Sequence, residues 1–282
     1  MAIIKTVVDR VPTYPGRVTL SPVAGQANTY DMVRADQPTE AGTPLNKALL
    51  DQKANTLTAN VTVYVSTSGN DSTGEGTSAK PYKTINRALA DIPKFLGGFK
   101  ATVDIAAGTY DEVVTISGFD GGILQVGMGA ARAVTVKGID VYDSRTVYLM
   151  IPNVTHTAAT TPVHLVDIRN CSDVDIMVNM KVTSSSGADK TGIAVRGGSR
   201  MRASSYALTI TGPARQAIWA TGGSDVSVYS ASGSVTGWRF AATFGSQIRF
   251  GSSTITSNKG DGYSWGSNII SGQGNYVESG VG

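Results

Sequence analysis

A single cysteine, Cys171, stands in the chain, so an internal disulfide is excluded and the thiol is expected at a corner or inward position, as a small apolar group. Charge is scarce as well. Asp, Glu, Lys and Arg make up 16% of residues against a usual ~25%, and they leave a net charge of +3. That balance offers no electrostatic footprint for nucleic acid. No apolar run approaches the ~20 residues that span a bilayer, so membrane insertion as a helix is not expected. Met1-Ala-Ile-Ile-Lys5 soon meets Asp9 and Arg10, which argues against a signal peptide. The two histidines, His156 and His164, lie in a Thr/Ala/Pro-rich stretch and are expected on a surface loop. With no third ligand beside them, no metal is expected.

Glycine, by contrast, is abundant at 33 of 282 residues, and Ser, Thr and Val are frequent. This is the composition of an all-β protein with many corners. The second half carries a repeat. Ser144-Arg145-Thr146, Ser172-Asp173-Val174, Ser199-Arg200-Met201, Ser224-Asp225-Val226 and Ser246-Gln247-Ile248 follow at intervals of 28, 27, 25 and 22 residues. A period in the twenties with strand-forming residues and no helical pattern predicts a solenoid of stacked strands. Counted from each serine, the second position reads Thr146, Val174, Met201, Val226, Ile248, and the fourth reads Tyr148, Ile176, Ala203, Val228, Phe250. Both columns are mostly apolar and two apart, so they are expected to face inward. The first position reads Arg145, Asp173, Arg200, Asp225, Gln247, a ladder of alternating charge on the outer wall. A second alignment supports the register: Ile193–Gly212 over Ile218–Gly237, with Gly197-Gly198-Ser199 over Gly222-Gly223-Ser224.

Three regions are expected: 1–57, 58–132 and 133–282. The first is rich in turn formers to Thr39 and reads as an extended arm. Thr43 then caps a short helix with Pro44 at its first position and Leu45, Leu49 and Leu50 as its stripe, running to about Leu57. In the second, a strand over 61–66 and a Gly/Asn/Asp loop precede a helix with Ile85, Ala88, Leu89 and Ile92 on one face. Such a helix is placed to cap the open first coil. Strands are expected over 101–105, 113–116, 123–126 and 133–136, and regular coils fill the third region.

Tyr64-Val65-Ser66, Gly69-Asn70-Asp71, Gly76-Thr77, Pro81-Tyr82-Lys83-Thr84-Ile85 and Ala88-Leu89 resemble the start of pectin-lyase-like right-handed parallel β-helices. Ile105-Ala106-Ala107-Gly108-Thr109-Tyr110 with Glu112-Val113 and Ile116 is similar to their first coils. Gly25-Gln26-Ala27-Asn28-Thr29-Tyr30-Asp31-Met32 and Gly42-Thr43-Pro44-Leu45-Asn46-Lys47 resemble the N-terminal arm of phage or prophage tail-fibre and baseplate-attached proteins. These resemblances imply an all-β, single-stranded right-handed parallel β-helix that serves as a virion tail component. Residues 1–57 would attach to tail or baseplate proteins, and the helix would present a surface to host glycans. They further imply a homotrimer released by host lysis, with no cofactor. A tailspike-type polysaccharide depolymerase, lyase or hydrolase, is the alternative, and a purely architectural baseplate component is a third.

Asp173, Asp175, Arg200, Arg202 and Asp225 form a group of carboxylates and arginines on adjacent coils. They read either as a cleft with Asp173 or Asp175 as acid or base, or as the outer charge ladder, whose ion pairs would hold the carboxylates ionised. No catalytic residue carries over from the resemblance. The Asn70–Glu75 loop lacks the alternating ligands of a calcium loop and reads as an Asx-stabilised turn. Gly127-Met128-Gly129 does not complete a dinucleotide fingerprint. The three tryptophans, Trp219, Trp238 and Trp265, lie in the last quarter with Tyr206, Tyr229, Phe240, Phe244, Tyr263 and Tyr276. Trp219, Trp238, Tyr263 and Trp265 are the candidate glycan contacts; core or subunit interface is the competing reading.

Overall fold

A computed structural model describes residues 11–12, 18–24, 30–34, 38–40, 56–128, 132–156, 164–184, 190–212, 215–259 and 264–271. The chain divides into two units, Met1–Thr56 and Leu57–Gly282. In the first, Val18–Pro22 pairs antiparallel with Tyr30–Arg34, and Val11–Pro12 pairs with Pro38–Glu40. The stretch read as an extended arm therefore pairs with itself. The short helix expected from Thr43 falls almost wholly outside the described residues.

The second unit is a parallel β-solenoid. Each turn contributes to three walls. The first wall stacks Val61–Val65, Lys100–Ile105, Ile123–Val126, Thr146–Leu149, Asp173–Ile176, residues 200–203, 225–228 and 247–250, and Asn268–Ser271. The second runs from residues 108–110 through 134–136, Asn153–His156, Met180–Ser184, 207–211 and 230–235 to 252–257. The third begins with residues 113–117 and 138–142. It continues with His164–Arg169, Thr191–Arg196, Gln216–Thr221, Trp238–Thr243 and Ser264–Trp265.

Period-two alternation on each strand sends one column inward. On the first wall this column is Ala101, Leu124, Val147, Val174, Met201, Val226 and Ile248, each fully buried on the one below. Burying an aliphatic side chain of this size contributes roughly 1.5–3 kcal/mol, and the column repeats that gain at every rung. The second wall's outer columns are hydroxyls for most of their length. One reads Thr209, Ser232, Thr254 and the other Thr155, Thr183, Thr211, Ser234, Thr256.

The corner between the third wall and the first explains both the serines and an error in the expected register. Gly118, Asp143, Asn170, Gly197, Gly222, Phe244 and Gly266 all adopt left-handed φ there. At 197–198, 222–223 and 244–245 a second left-handed residue precedes the serine; at 143 and 170 there is one. The shorter corners bring Ser144 and Cys171, not Ser172, to equivalent positions. Oγ of Ser144, Ser199, Ser224, Ser246 and Ser267 accepts from the backbone N–H of Phe119, Cys171, Ser199, Ser224 and Ser246, in that order. Cys171 fills the serine place in its coil, its Sγ bonded to Arg169 O as Ser144 Oγ is to Tyr142 O. Burial pushes its thiol pKa up, which keeps it a thiol.

Thr146 therefore lies opposite Asp173, and Val147 opposite Val174. The expectation that Thr146 and Tyr148 face inward is overturned: Val147 and Leu149 are the buried pair. A one-residue slip exchanges the two faces of a strand. Arg145 leaves the ladder with it and pairs instead with Asp120 at 3.1 Å.

Helix α1, Ile85–Asp91, covers the open end, with Ile85, Ala88 and Leu89 buried. Thr84 Oγ1 caps it by accepting from Arg87 N. Glu112, from the first coil, accepts from Ile85 N at 2.8 Å and Asn86 N at 3.0 Å, and Asn86 bonds back to Val113 and Thr115. Asp71 accepts from Lys83 N, Thr84 N and the Thr84 hydroxyl, while Asn70 closes its own turn onto Ser72 N and Thr73 N. The loop is thus a brace for the cap.

Candidate functional site

Between the first and second walls, near the C-terminal end, lies a pocket of about 350 Å³ lined by Ser204, Ser227, Val228, Tyr229, Arg249, Phe250, Gly251 and Ile270. Its cause is local. Tyr229 follows the strand alternation outward and is 61% exposed. The residue over it in the next coil is Gly251, where a Cβ would come within 2.5 Å of Tyr229 O. No side chain can therefore rise above the tyrosine. In the coil below, Ser204 sits where two extra residues bulge the strand between Ala203 and Ala207. Bulges of this kind re-aim side chains beside sites. Phe250 makes the apolar floor, stacked on Phe240 at 4.6 Å. Arg249 is held at the rim by Asp225 at 3.2 Å and by Gln247 at 2.7 Å. An apolar floor, one exposed aromatic, serine hydroxyls and a guanidinium suit a ligand with an apolar ring face and polar edges.

The residues singled out from sequence are dispersed around this pocket. On the first wall Arg202 grips both expected carboxylates, Asp175 at 2.8 Å and Asp173 at 2.6 Å. The bond to Asp175 raises the Arg202 pKa. Arg200 is exposed and, among the described residues, forms no ion pair. The simple alternation of Arg and Asp is thus replaced by a clasp from the neighbouring column. Asp225 belongs to Arg249. Trp219 and Trp238 lie on the third wall, away from the pocket. The Trp265 backbone pairs with Thr243 in the last described rung of that wall, and Tyr263 lies outside the described residues.

The third wall carries a second group that sequence reading passed over. Asp167 lies directly over Asp140 in register. Arg196 chelates Asp167 with Nε at 3.0 Å and with Nη2, and the Asp167 side chain is 8% exposed. Arg169 approaches the same carboxylate at 3.8 Å and lies over the Tyr142 ring at 4.9 Å. Burial and the nearby Asp167 raise the Asp140 pKa, opposed by Arg169 and Arg196. Trp219 occupies the next positions of the column between Ala194 and Ala241, its indole N–H bonded to Thr243 and its ring 5.7 Å from His164. His156 and His164 are therefore not surface-loop residues: His156 is buried on a second-wall strand, and His164 opens a third-wall strand. The Thr/Ala/Pro-rich stretch is confined to the residues between them.

Among the described residues no group of three metal-ligating side chains occurs, and no helix is long and apolar enough to cross a membrane. Residues 67–116, the cap and first coil, match the family model described as a protein of unknown function (DUF1565), a β-helix-associated family. No curated protein and no solved structure matches the chain.

Proposed function

We propose that the protein is a tail-fibre or tailspike-like component of a phage or phage-derived particle and recognises host-surface glycan through the pocket around Tyr229 and Arg249. One observation carries the reading. The Tyr229–Gly251 step opens a ring-sized recess on the outer wall, with hydroxyls, an aromatic face and a guanidinium around it. Residues 1–57 attach the chain to the tail or baseplate, the solenoid is the stiff spacer, three copies assemble, and the particle meets its host after lysis has released it. Support for this setting is the motif resemblance of the N-terminal stretch. Binding of the full-length protein to host cells and to a glycan array tests it, with Tyr229→Ala and Arg249→Gln as probes. The expected result is saturable binding lost tenfold or more in Tyr229→Ala at unchanged circular dichroism. Equal binding by that variant, or none by the wild type, overturns it, and the latter outcome favours an architectural role. Light scattering on the same protein reads the trimer.

A second reading, polysaccharide depolymerisation, is favoured by the Asp140–Asp167 pair. Two carboxyls on adjacent rungs, one held by Arg196 and one with a raised pKa, are the kind of pair that divides acid from base. The near-complete burial of Asp167 makes it the lesser reading. New reducing ends or unsaturated sugars on host glycan, abolished by Asp140→Asn and not by Asp175→Asn, would establish it.

A further inference from the structure

His164, Thr191 and Gln216 stand on three successive rungs in one column, at the start of the third wall. Thr191 is fully buried and Gln216 is 7% exposed. The Thr191 hydroxyl donates to Gln216 Oε1 at 3.0 Å, which sets the hydroxyl oxygen beside the amide group. His164 occupies the adjoining rung, its ring braced on Trp219. Its Nδ1 is buried and, among the described residues, has no hydrogen-bond partner. Burial lowers the His164 pKa, as do Arg196, Arg215 and Arg169, against the pull of Asp167. That shift favours the neutral imidazole, the form that takes up a proton.

We propose that Thr191 and Gln216 condense into an intramolecular ester, with His164, on the adjoining rung and not hydrogen-bonded to the hydroxyl in this structure, turning onto it as the base. The Thr191 hydroxyl proton passes to the imidazole as the Oγ–Cδ bond forms on Gln216. The tetrahedral adduct collapses with cleavage of Cδ–Nε2, and the imidazolium returns its proton to the departing nitrogen, which leaves as ammonia. No oxidant, metal or co-reactant enters the balance. The arrangement is that of a hydroxyl nucleophile with an adjacent base, turned on a neighbouring side chain. Burial of both partners excludes the water that would hydrolyse the product. The link would add a covalent staple between two successive coils that otherwise hold each other by backbone pairing and packing.

Intact-mass spectrometry of the full-length protein after incubation at neutral pH reads the reaction directly. The expected mass is lower than the sequence mass by one ammonia, and a protease digest should yield a joined pair of peptides containing Thr191 and Gln216. Hydroxylamine, which cleaves esters and spares amides, should separate the pair. Thr191→Val should keep the full mass, Thr191→Ser should retain the link, and His164→Gln should slow its appearance at least tenfold. Circular dichroism confirms that each variant is folded. A wild-type chain at its full sequence mass, or an ammonia loss that maps elsewhere or persists in Thr191→Val, overturns the proposal.

Discussion

The second and third walls share a backbone plan and differ in what the same stacking does to their outer side chains. Parallel in-register strands set each residue over its equivalent, roughly 4.8 Å away. On most rungs of the second wall threonine lies over threonine or serine, and each hydroxyl can donate or accept, as Thr209 and Ser232 do at 3.2 Å. On the third wall the rule sets Asp167 over Asp140, where two like charges meet. The arginines of the adjacent column, Arg169 and Arg196, make that tolerable. A neutral column can be extended rung by rung without regard to its neighbours. A charged one must be solved locally, and this is why the third wall gathers a network.

The difference can be broken from either side. The largest effect is expected from Arg196→Met, which strips the chelating partner from buried Asp167. It should cost about 3–5 kcal/mol in denaturant unfolding. A loss below about 1 kcal/mol would mean that Arg169 alone suffices. Next, Thr211→Asp with Ser234→Asp reproduces acid over acid on the second wall, where the positions are in register and no arginine column adjoins. The pair should destabilise by about 1 kcal/mol beyond the sum of the single changes. Salt should recover most of that, since the sites are open to solvent.

Asp140→Asn should act in the opposite direction. A carboxyl with a raised folded pKa favours the fold while protonated and loses that contribution as pH rises through the folded value. The substitution should therefore raise the melting temperature at pH ~7, and the gain should vanish toward pH ~4, where the unfolded carboxyl also holds its proton. A gain that persists unchanged in acid would sink this account. The smallest effect is expected on the second wall: Thr254→Val, exposed and stacked on the hydroxyl of Ser232, should stay within about 0.5 kcal/mol.

Much of the solenoid was legible in the chain because its inward columns repeat at a near-constant interval. The capping helix was legible too, since Ile85, Ala88 and Leu89 share one helical face and Thr84 can cap it. The register of Ser144 was not, because Cys171 does a serine's work one position early and Ser172 imitates it. The hydrogen-bond partner of a corner atom carries no signature in sequence. The clasp of Arg202 on Asp173 and Asp175 was visible as composition; which column supplied the arginine depended on side-chain reach. The pocket depends on one glycine, Gly251, arriving above one tyrosine, and on a bulge that changes the count of residues per coil. Asp140 and Asp167 escaped notice because a 27-residue separation becomes contact only once the register of the third wall is known.

The corner ladder makes the molecule a ruler with removable divisions. Ser199 and Ser224 both lie at the end of a corner, both donate a backbone N–H to the serine above, and both are followed by a strand of the first wall. Excising residues 200–224 would join Ser199 to Asp225 and return the chain to the same corner, one rung shorter. Duplicating the segment would lengthen it by one rung. Reach can thus change in steps of roughly 4.8 Å by recombination between like corners, with the cap carried along unaltered; excision would also remove Ser204 and the bulge from the distal pocket, whereas duplication would keep them.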